Sequence, residues 1–143
     1  MNARSQARPH NVFVDTAAYY ALTDERDHSH LAARRAFDRL TNQQRRLITT
    51  NFILAEVHAL LLHRLGRSVA ARVLEAIDTS RGTIVVRISE AQERRAREII
   101  ARYDDKDFSL TDANSFAVME EFGIRQAFTF DSHFAQFGFM LVR

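Results

Sequence analysis

The segment LITTNFILAEVHALLLHRLG, residues 47–66, joins a short apolar strand to a strongly apolar helix. Residues 47–49 are typical of a buried strand. Thr50 or Asn51 can cap the helix that follows, which extends over residues 52–65 and ends at a glycine. A strand that leads directly into a helix is half of a βαβ unit, so this segment indicates an α/β fold with parallel strands.

Short strands and helices alternate on both sides of this segment. Ser89 and Gln92 form a capping box, and Ser109 or Thr111 caps a later helix that ends near Gly123. The pattern predicts α/β architecture, with a mainly parallel central sheet flanked by helices. The predicted strands are 12–14, 47–49, 83–87, 126–130 and 139–142. Besides the helix over 52–65 and the one that ends near Gly123, the predicted helices are 16–22, 29–40, 68–78 and 89–103, with a helical turn at 132–136.

Length and composition indicate one domain and exclude several classes of protein. The chain has 143 residues, which we divide into a flexible N-terminal lead (1–10) and one folded domain (11–143). No apolar run is long enough to span a membrane, and no apolar segment of a signal peptide follows the basic N-terminus. The absence of cysteine excludes disulfides and thiolate sites and is compatible with the cytoplasm, where we expect the protein. The basic residues are almost all arginines, and the net charge is +2. This charge permits nucleic acid as a partner without requiring it.

Two aspartates follow predicted strands. Asp15 comes after residues 12–14, and Asp131 comes after residues 126–130. Ligands of open α/β sheets bind beyond the carboxyl ends of the strands, where these side chains lie. Thr129, two residues before Asp131, points the same way in an extended segment. Either aspartate alone is also compatible with a turn or a helix cap.

Two more acids lie on helices that have apolar sides. Glu56 falls among the apolar residues of the helix over residues 52–65, and a carboxylate buried there needs a partner or a metal. Pairing with arginine or partial exposure are the alternatives. Asp112 lies in the first turn of its helix, four residues before Phe116 and seven before Met119. The helix dipole alone would also favour an acid at that position.

Together these four acids suit a hard divalent cation. Mg²⁺ and Mn²⁺ prefer oxygen ligands and need few protein carboxylates. Such ions can clamp the attacking and leaving oxygens of a phosphodiester. The sequence therefore predicts a divalent-cation site of a kind that suits phosphodiester chemistry.

Three segments carry a resemblance to a known family. They are VFVDTAAYYAL near the start, TTNFILAEVHALL in the middle and DKDFSLTDANSFAVMEEFGIRQAFTFDSHFAQFGF near the end, of which the last is the most specific. In these segments, and over residues 12–142 as a whole, the chain resembles the PIN domain and, within it, the VapC-like toxin ribonucleases. Ala17 departs from the pattern, because many relatives have serine there.

The resemblance implies a function and a site. It implies that Asp15, Glu56, Asp112 and Asp131 bind Mg²⁺ or Mn²⁺, and that Thr129 is the hydroxyl residue preceding the last acid. It implies a Mg²⁺-dependent endoribonuclease, the toxin of a toxin–antitoxin pair, with RNA as substrate and an antitoxin as partner. The alternatives are a non-catalytic PIN domain that binds RNA or protein, and a nuclease that acts on DNA.

Other residue patterns support weaker interpretations. The histidines have no zinc spacing, and His133, two residues from Asp131, is the best candidate among them for catalysis. Asp107 could support Asp112 from outside the metal site, whereas Asp104 and Asp105 are expected to be solvated. No glycine-rich phosphate loop is present. Alanine at position 17 argues against a phosphoaspartate phosphatase. Most arginine pairs are explained by solvated helix faces; they are 34–35, 45–46 and 94–95.

The helix over residues 52–65 is apolar almost all the way around, which suggests an interface. Phe52, Ile53, Val57 and Leu60 form one side, and Leu54, Leu61, Leu62 and Leu65 extend onto the other. A small domain rarely buries both sides of a helix in its own core. We therefore expect the second side to contact another chain, either in a homodimer or with an antitoxin segment, unless the sheet and the next helix cover it.

Overall fold

Five parallel strands form the centre of the part of the chain that this computed structural model describes, residues 10–143. They are β1 (Asn11–Val14), β2 (Arg46–Thr50), β3 (Thr83–Val86), β4 (Gln126–Phe128) and β5 (Met140–Val142). Their order across the sheet is β3-β2-β1-β4-β5, and every neighbouring pair is parallel. The predicted fold class is therefore confirmed. The predicted N-terminal lead lies, except for His10, outside the described residues.

Helices connect the strands as the alternating pattern predicted. The Thr50 side chain caps α3 (Asn51–Leu65) by accepting a hydrogen bond from the Ile53 amide at 3.1 Å. The Ser89–Gln92 capping box is present, and Ser109, not Thr111, caps α6 (Leu110–Glu121). No described helix is long and apolar enough to cross a membrane. The helices are α1 (Thr16–Thr23), α2 (His30–Asn42), α3 (Asn51–Leu65), α4 (Arg67–Thr79), α5 (Glu90–Arg102), α6 (Leu110–Glu121) and α7 (His133–Phe137).

The direction of strand addition reverses at β1, and this reversal positions the site. The chain adds β2 and β3 on one side of β1, and then β4 and β5 on the other. Val14 at the end of β1 pairs with Phe128 at the end of β4, and the Asp15 amide donates to the Phe128 carbonyl oxygen at 3.1 Å. The carboxyl ends of β1 and β4 therefore form the crevice in which α/β sheets bind ligands.

A cluster of aromatic rings holds α6 and α7 against this crevice. Phe116 of α6 stacks on Phe137 of α7 with ring centres 4.5 Å apart, and it meets Phe134 edge-on at 5.0 Å. Phe108, just before α6, packs edge-on against Phe116 at 5.0 Å. Such pairs add packing energy beyond that of simple burial and fix ring orientation. They therefore fix the helix starts that carry the polar groups of the site.

The expected spare apolar side of α3 is largely absent. Ile53, Val57 and Leu61 form a buried stripe at intervals of four residues, so Leu61, expected on the second side, is a core residue. Leu54, Leu60 and Leu65 are partly buried against the same core. Leu62 is the large hydrophobic residue of α3 that remains exposed, at 45%. The exposed part of this side is small because α1, α4 and the sheet surround much of the helix, and its contact with another chain stays a prediction.

Candidate metal centre

Asp15 lies directly beyond β1 and is nearly fully buried, at 4% exposure. Its backbone is extended, as is usual for the residue that precedes a helix, and α1 begins at the next residue. Its Oδ2 atom accepts a hydrogen bond from the Thr129 hydroxyl at 2.8 Å. The strand-end position that the sequence indicated therefore places this carboxylate inside the crevice.

Asp112 reaches the crevice from the first turn of α6. It is buried, together with Phe116 and Met119, as their helical spacing predicted. Its Oδ2 atom accepts from the Ser109 amide at 3.1 Å, and its own amide donates to the Ser109 hydroxyl at 3.0 Å. This capping box fixes the side chain at the positive end of the helix dipole, which favours a negative charge.

Thr129 and Asp131 follow β4 in an irregular segment. The strand ends at Phe128, two residues earlier than predicted. Thr129, the next residue, is fully buried, and its hydroxyl donates to Asp15 and accepts from the Asp131 amide at 3.0 Å. Asp131 is partly exposed and accepts from the His133 amide through Oδ1 at 2.9 Å.

His133, the histidine that the sequence analysis favoured, lies in the same cluster. Ligand atoms of Asp112, Asp131 and His133 all lie within 4.8 Å of one another. His133 Nδ1 is 3.0 Å from Asp112 Oδ2 and 3.5 Å from Asp131 Oδ1. The only signal in the sequence was its spacing of two residues from Asp131. Its proximity to Asp112 depends on how α6 and α7 pack.

Burial and mutual repulsion disfavour the simultaneous ionisation of three aspartates in the crevice. The pKa of Asp15 is raised to about 7, mainly by burial, and the negative charges of Asp112 and Asp131 contribute to this rise. The Thr129 hydrogen bond acts in the opposite direction, because it stabilises the ionised form. Among the described residues, no arginine or lysine pairs with any of these three aspartates. These electrostatics favour a cation beside the three aspartates.

The donor set fits a hard divalent ion. Asp112 and Asp131 each bind protein donors through one carboxylate oxygen, Oδ2 and Oδ1 respectively. Within residues 10–143 their other oxygens accept no hydrogen bond and are open to a ligand. Carboxylate oxygens suit Mg²⁺ and Mn²⁺, and the positive charge would relieve the repulsion among the acids.

Glu56 lies elsewhere than its sequence context suggested. The sequence placed it within an apolar stripe, but it is exposed on α3 and makes no hydrogen bond or ion pair with another described residue. It precedes Val57 in the buried stripe by one residue, and one residue is about 100° around a helix. The inference from burial was therefore wrong, because Glu56 flanks the stripe. Its role as a metal ligand stays a prediction.

The remaining acids and the arginine pairs are mostly solvated. Asp104 and Asp105 are exposed, as expected, and Asp107 is exposed without a hydrogen bond to Asp112. Arg95 is bound to Glu120 at 3.0 Å and to Glu98 at 3.5 Å, which is a structural use of that arginine. The supporting role predicted for Asp107 stays a prediction.

Comparison with known proteins agrees with this geometry. The "23S rRNA-specific endonuclease VapC20" of Mycobacterium tuberculosis, in strains CDC 1551 and H37Rv, is 36% identical over 132 residues, which cover 92% of this chain and 98% of the relative. The crystal structure of Mycobacterium tuberculosis VapC20, described as a Sarcin-Ricin loop cleaving toxin, superposes with a TM-score of 0.83 at 33% identity. The match covers 90% of this chain and 96% of that structure.

The family assignment follows from the fold, the position of the acids and these matches together. The profile of the PIN domain matches residues 12–140, from the second residue of β1 to the first residue of β5. The resemblance seen in the three sequence segments is thereby confirmed. This chain belongs to the PIN domain family.

Proposed function

We propose that this protein is a Mg²⁺-dependent endoribonuclease, the toxin of a toxin–antitoxin pair, and that its substrate is ribosomal RNA. The observation that carries the proposal is the convergence of Asp15, Asp112 and Asp131 in one crevice without an arginine or lysine partner among the described residues. The relatives named as rRNA-specific endonucleases support the choice of substrate. A ribonuclease of this kind would act in the cytoplasm, where ribosomes are.

The proposed metal ligands are Asp15, Asp112 and Asp131, and Glu56 of α3 remains the fourth candidate ligand from the sequence. When bound, a divalent cation supplies positive charge to a phosphodiester and makes water acidic enough to act as a nucleophile at neutral pH. Thr129 holds Asp15 in place and ties it to the backbone of Asp131 through its hydroxyl. These fixed carboxylates cost no rearrangement during the reaction, which is the main catalytic contribution we assign to the protein.

Two protein partners are proposed as well, an antitoxin and a second copy of this chain. The described surface retains several large exposed hydrophobic side chains. Contiguous patches of such side chains mark sites where proteins associate. A symmetric dimer is the simplest assembly that a single chain can form. The exposed residues are Leu31, Leu62, Ile84, Ile100, Leu110, Phe122 and Met140.

The proposal is tested with a synthetic RNA hairpin that carries the sarcin–ricin loop sequence. The protein should cleave it in Mg²⁺, lose activity in EDTA and regain activity when excess Mg²⁺ is added. Asp131→Asn should lower the rate by orders of magnitude, whereas the exposed Asp107→Asn should retain most of it. Cleavage that persists in EDTA would contradict the metal dependence. Tight RNA binding without cleavage would favour a binding module, and selective cleavage of DNA would contradict the proposed substrate class.

A further inference from the structure

His133 makes two different contacts with the acids of the crevice. Its backbone amide donates to Asp131 Oδ1 at 2.9 Å, and its ring Nδ1 lies 3.0 Å from Asp112 Oδ2. An ionised carboxylate can only accept a hydrogen bond, so Nδ1 carries the proton in this contact. One residue thereby links an acid that follows β4 to an acid at the start of α6.

We propose that His133 is a positioning residue, whose Nδ1–H holds Asp112 and Asp131 at the separation that one divalent ion requires. The inference rests on the proposed metal-dependent function. The ring contact binds Asp112 through Oδ2, the oxygen that the Ser109 amide also binds, and it leaves Oδ1 for a ligand. Hydrogen bonds of this kind orient metal-binding side chains and commonly set metal affinity.

The surroundings of the ring support a fixed orientation. Phe108 packs edge-on against it with ring centres 5.5 Å apart and planes at 80°. The side chain is 28% exposed, so most of the ring is enclosed and a smaller part is accessible to solvent. A ring held by an aromatic contact and by Asp112 has little freedom to turn. The hydrogen bond therefore restrains Asp112 as well as His133.

Substitution of His133 separates the ring contact from the backbone contact, because every variant keeps the amide that binds Asp131. His133→Asn places an amide nitrogen at the position of Nδ1 and keeps the donor. His133→Gln places a nitrogen at the position of Nε2 instead. His133→Phe retains a ring against Phe108 but has no donor. His30→Asn is the control, because the His30 ring is also partly buried and binds the Ala21 carbonyl oxygen through Nδ1 at 2.7 Å.

The experiment measures Mn²⁺ affinity by calorimetry and thermal unfolding of the metal-free chain for each variant. We expect His133→Phe and His133→Gln to bind Mn²⁺ about 10- to 100-fold more weakly. His133→Asn should stay within about threefold of the original affinity, His30→Asn should match it, and metal-free unfolding should not follow the same ranking. RNA cleavage by His133→Phe should recover as Mg²⁺ is raised.

Several results would overturn the proposal. Unchanged Mn²⁺ affinity in His133→Phe would show that the ring contact does not position the acids. Rescue by glutamine and not by asparagine would mean that the ring acts through Nε2, as a ligand. If asparagine, glutamine and phenylalanine at position 133 weaken Mn²⁺ binding equally, loss of the Nδ1–H donor would not be the cause. Absence of Mn²⁺ binding by the original protein would instead contradict the proposed function itself.

Discussion

Replacing Asp15 by asparagine should stabilise the metal-free protein at neutral and alkaline pH. The pKa of Asp15 is raised to about 7 in the folded chain, against an ordinary value of 3.8. The folded state therefore binds the proton more tightly than the unfolded state does. Stability falls as pH rises from about 4 to about 7 and is then constant, because the group is ionised in both states.

The size of this effect follows from the pKa difference. Each pKa unit corresponds to about 1.4 kcal/mol, so ionised Asp15 costs roughly 4 kcal/mol above pH 7. From this group alone, the free energy of unfolding should be lower by roughly 2.5 kcal/mol at pH 8 than at pH 5. Asp15→Asn removes that loss while its side-chain oxygen can still accept from Thr129. For a domain of this size the variant should melt about 10 °C higher at pH 8.

The assay is thermal unfolding in EDTA at pH 5 and pH 8, with Asp107→Asn as the control because that carboxylate is exposed. The advantage of Asp15→Asn should be larger at pH 8 than at pH 5, and the control should show no advantage. Added Mn²⁺ should then raise the melting temperature of the original protein but not that of Asp15→Asn. Equal melting temperatures at pH 8 would refute the reasoning that burial and repulsion destabilise the empty crevice.

Three further predictions test separate parts of the account. Thr129→Val should lower the free energy of unfolding by about 1–3 kcal/mol in urea titrations, because the buried Asp15 carboxylate and the Asp131 amide each lose a hydrogen-bond partner, whereas Thr129→Ser should restore most of it. Glu56→Gln should leave stability within about 0.5 kcal/mol, since the side chain is exposed, yet reduce RNA cleavage at least tenfold; unchanged cleavage would remove Glu56 from the site. Leu62→Glu should shift a dimer towards monomer in light scattering at tens of micromolar, and a monomer before and after substitution would contradict the proposed dimer.

Asp15 and Asp112 were predictable because local rules determine where they lie. An aspartate after a short apolar strand lies at the carboxyl end of a parallel sheet, and an acid in the first turn of a helix with an apolar side points towards the core. Both rules need only the spacing of neighbouring residues. The alternation of strands and helices predicted the parallel sheet for the same reason.

Glu56 and His133 show where such reasoning stops. Nearly every position around Glu56 is apolar, so the sequence alone does not show which stripe of α3 faces the core; contacts with α1 and α4 decide this. His133 meets Asp112 across 21 positions of sequence, and only the packing of Phe116 against Phe134 and Phe137 brings them together. Tertiary contacts of this kind leave no periodic signal in the sequence.

The most direct test of the central claim is a crystal of this protein grown with Mn²⁺ and measured for anomalous scattering. The account predicts a peak in the crevice about 2.0–2.3 Å from carboxylate oxygens of Asp15, Asp112 and Asp131, and no such peak in crystals of Asp15→Asn. A Mn²⁺ peak elsewhere with an empty crevice, or an arginine or lysine side chain seated among the three aspartates, would contradict the account.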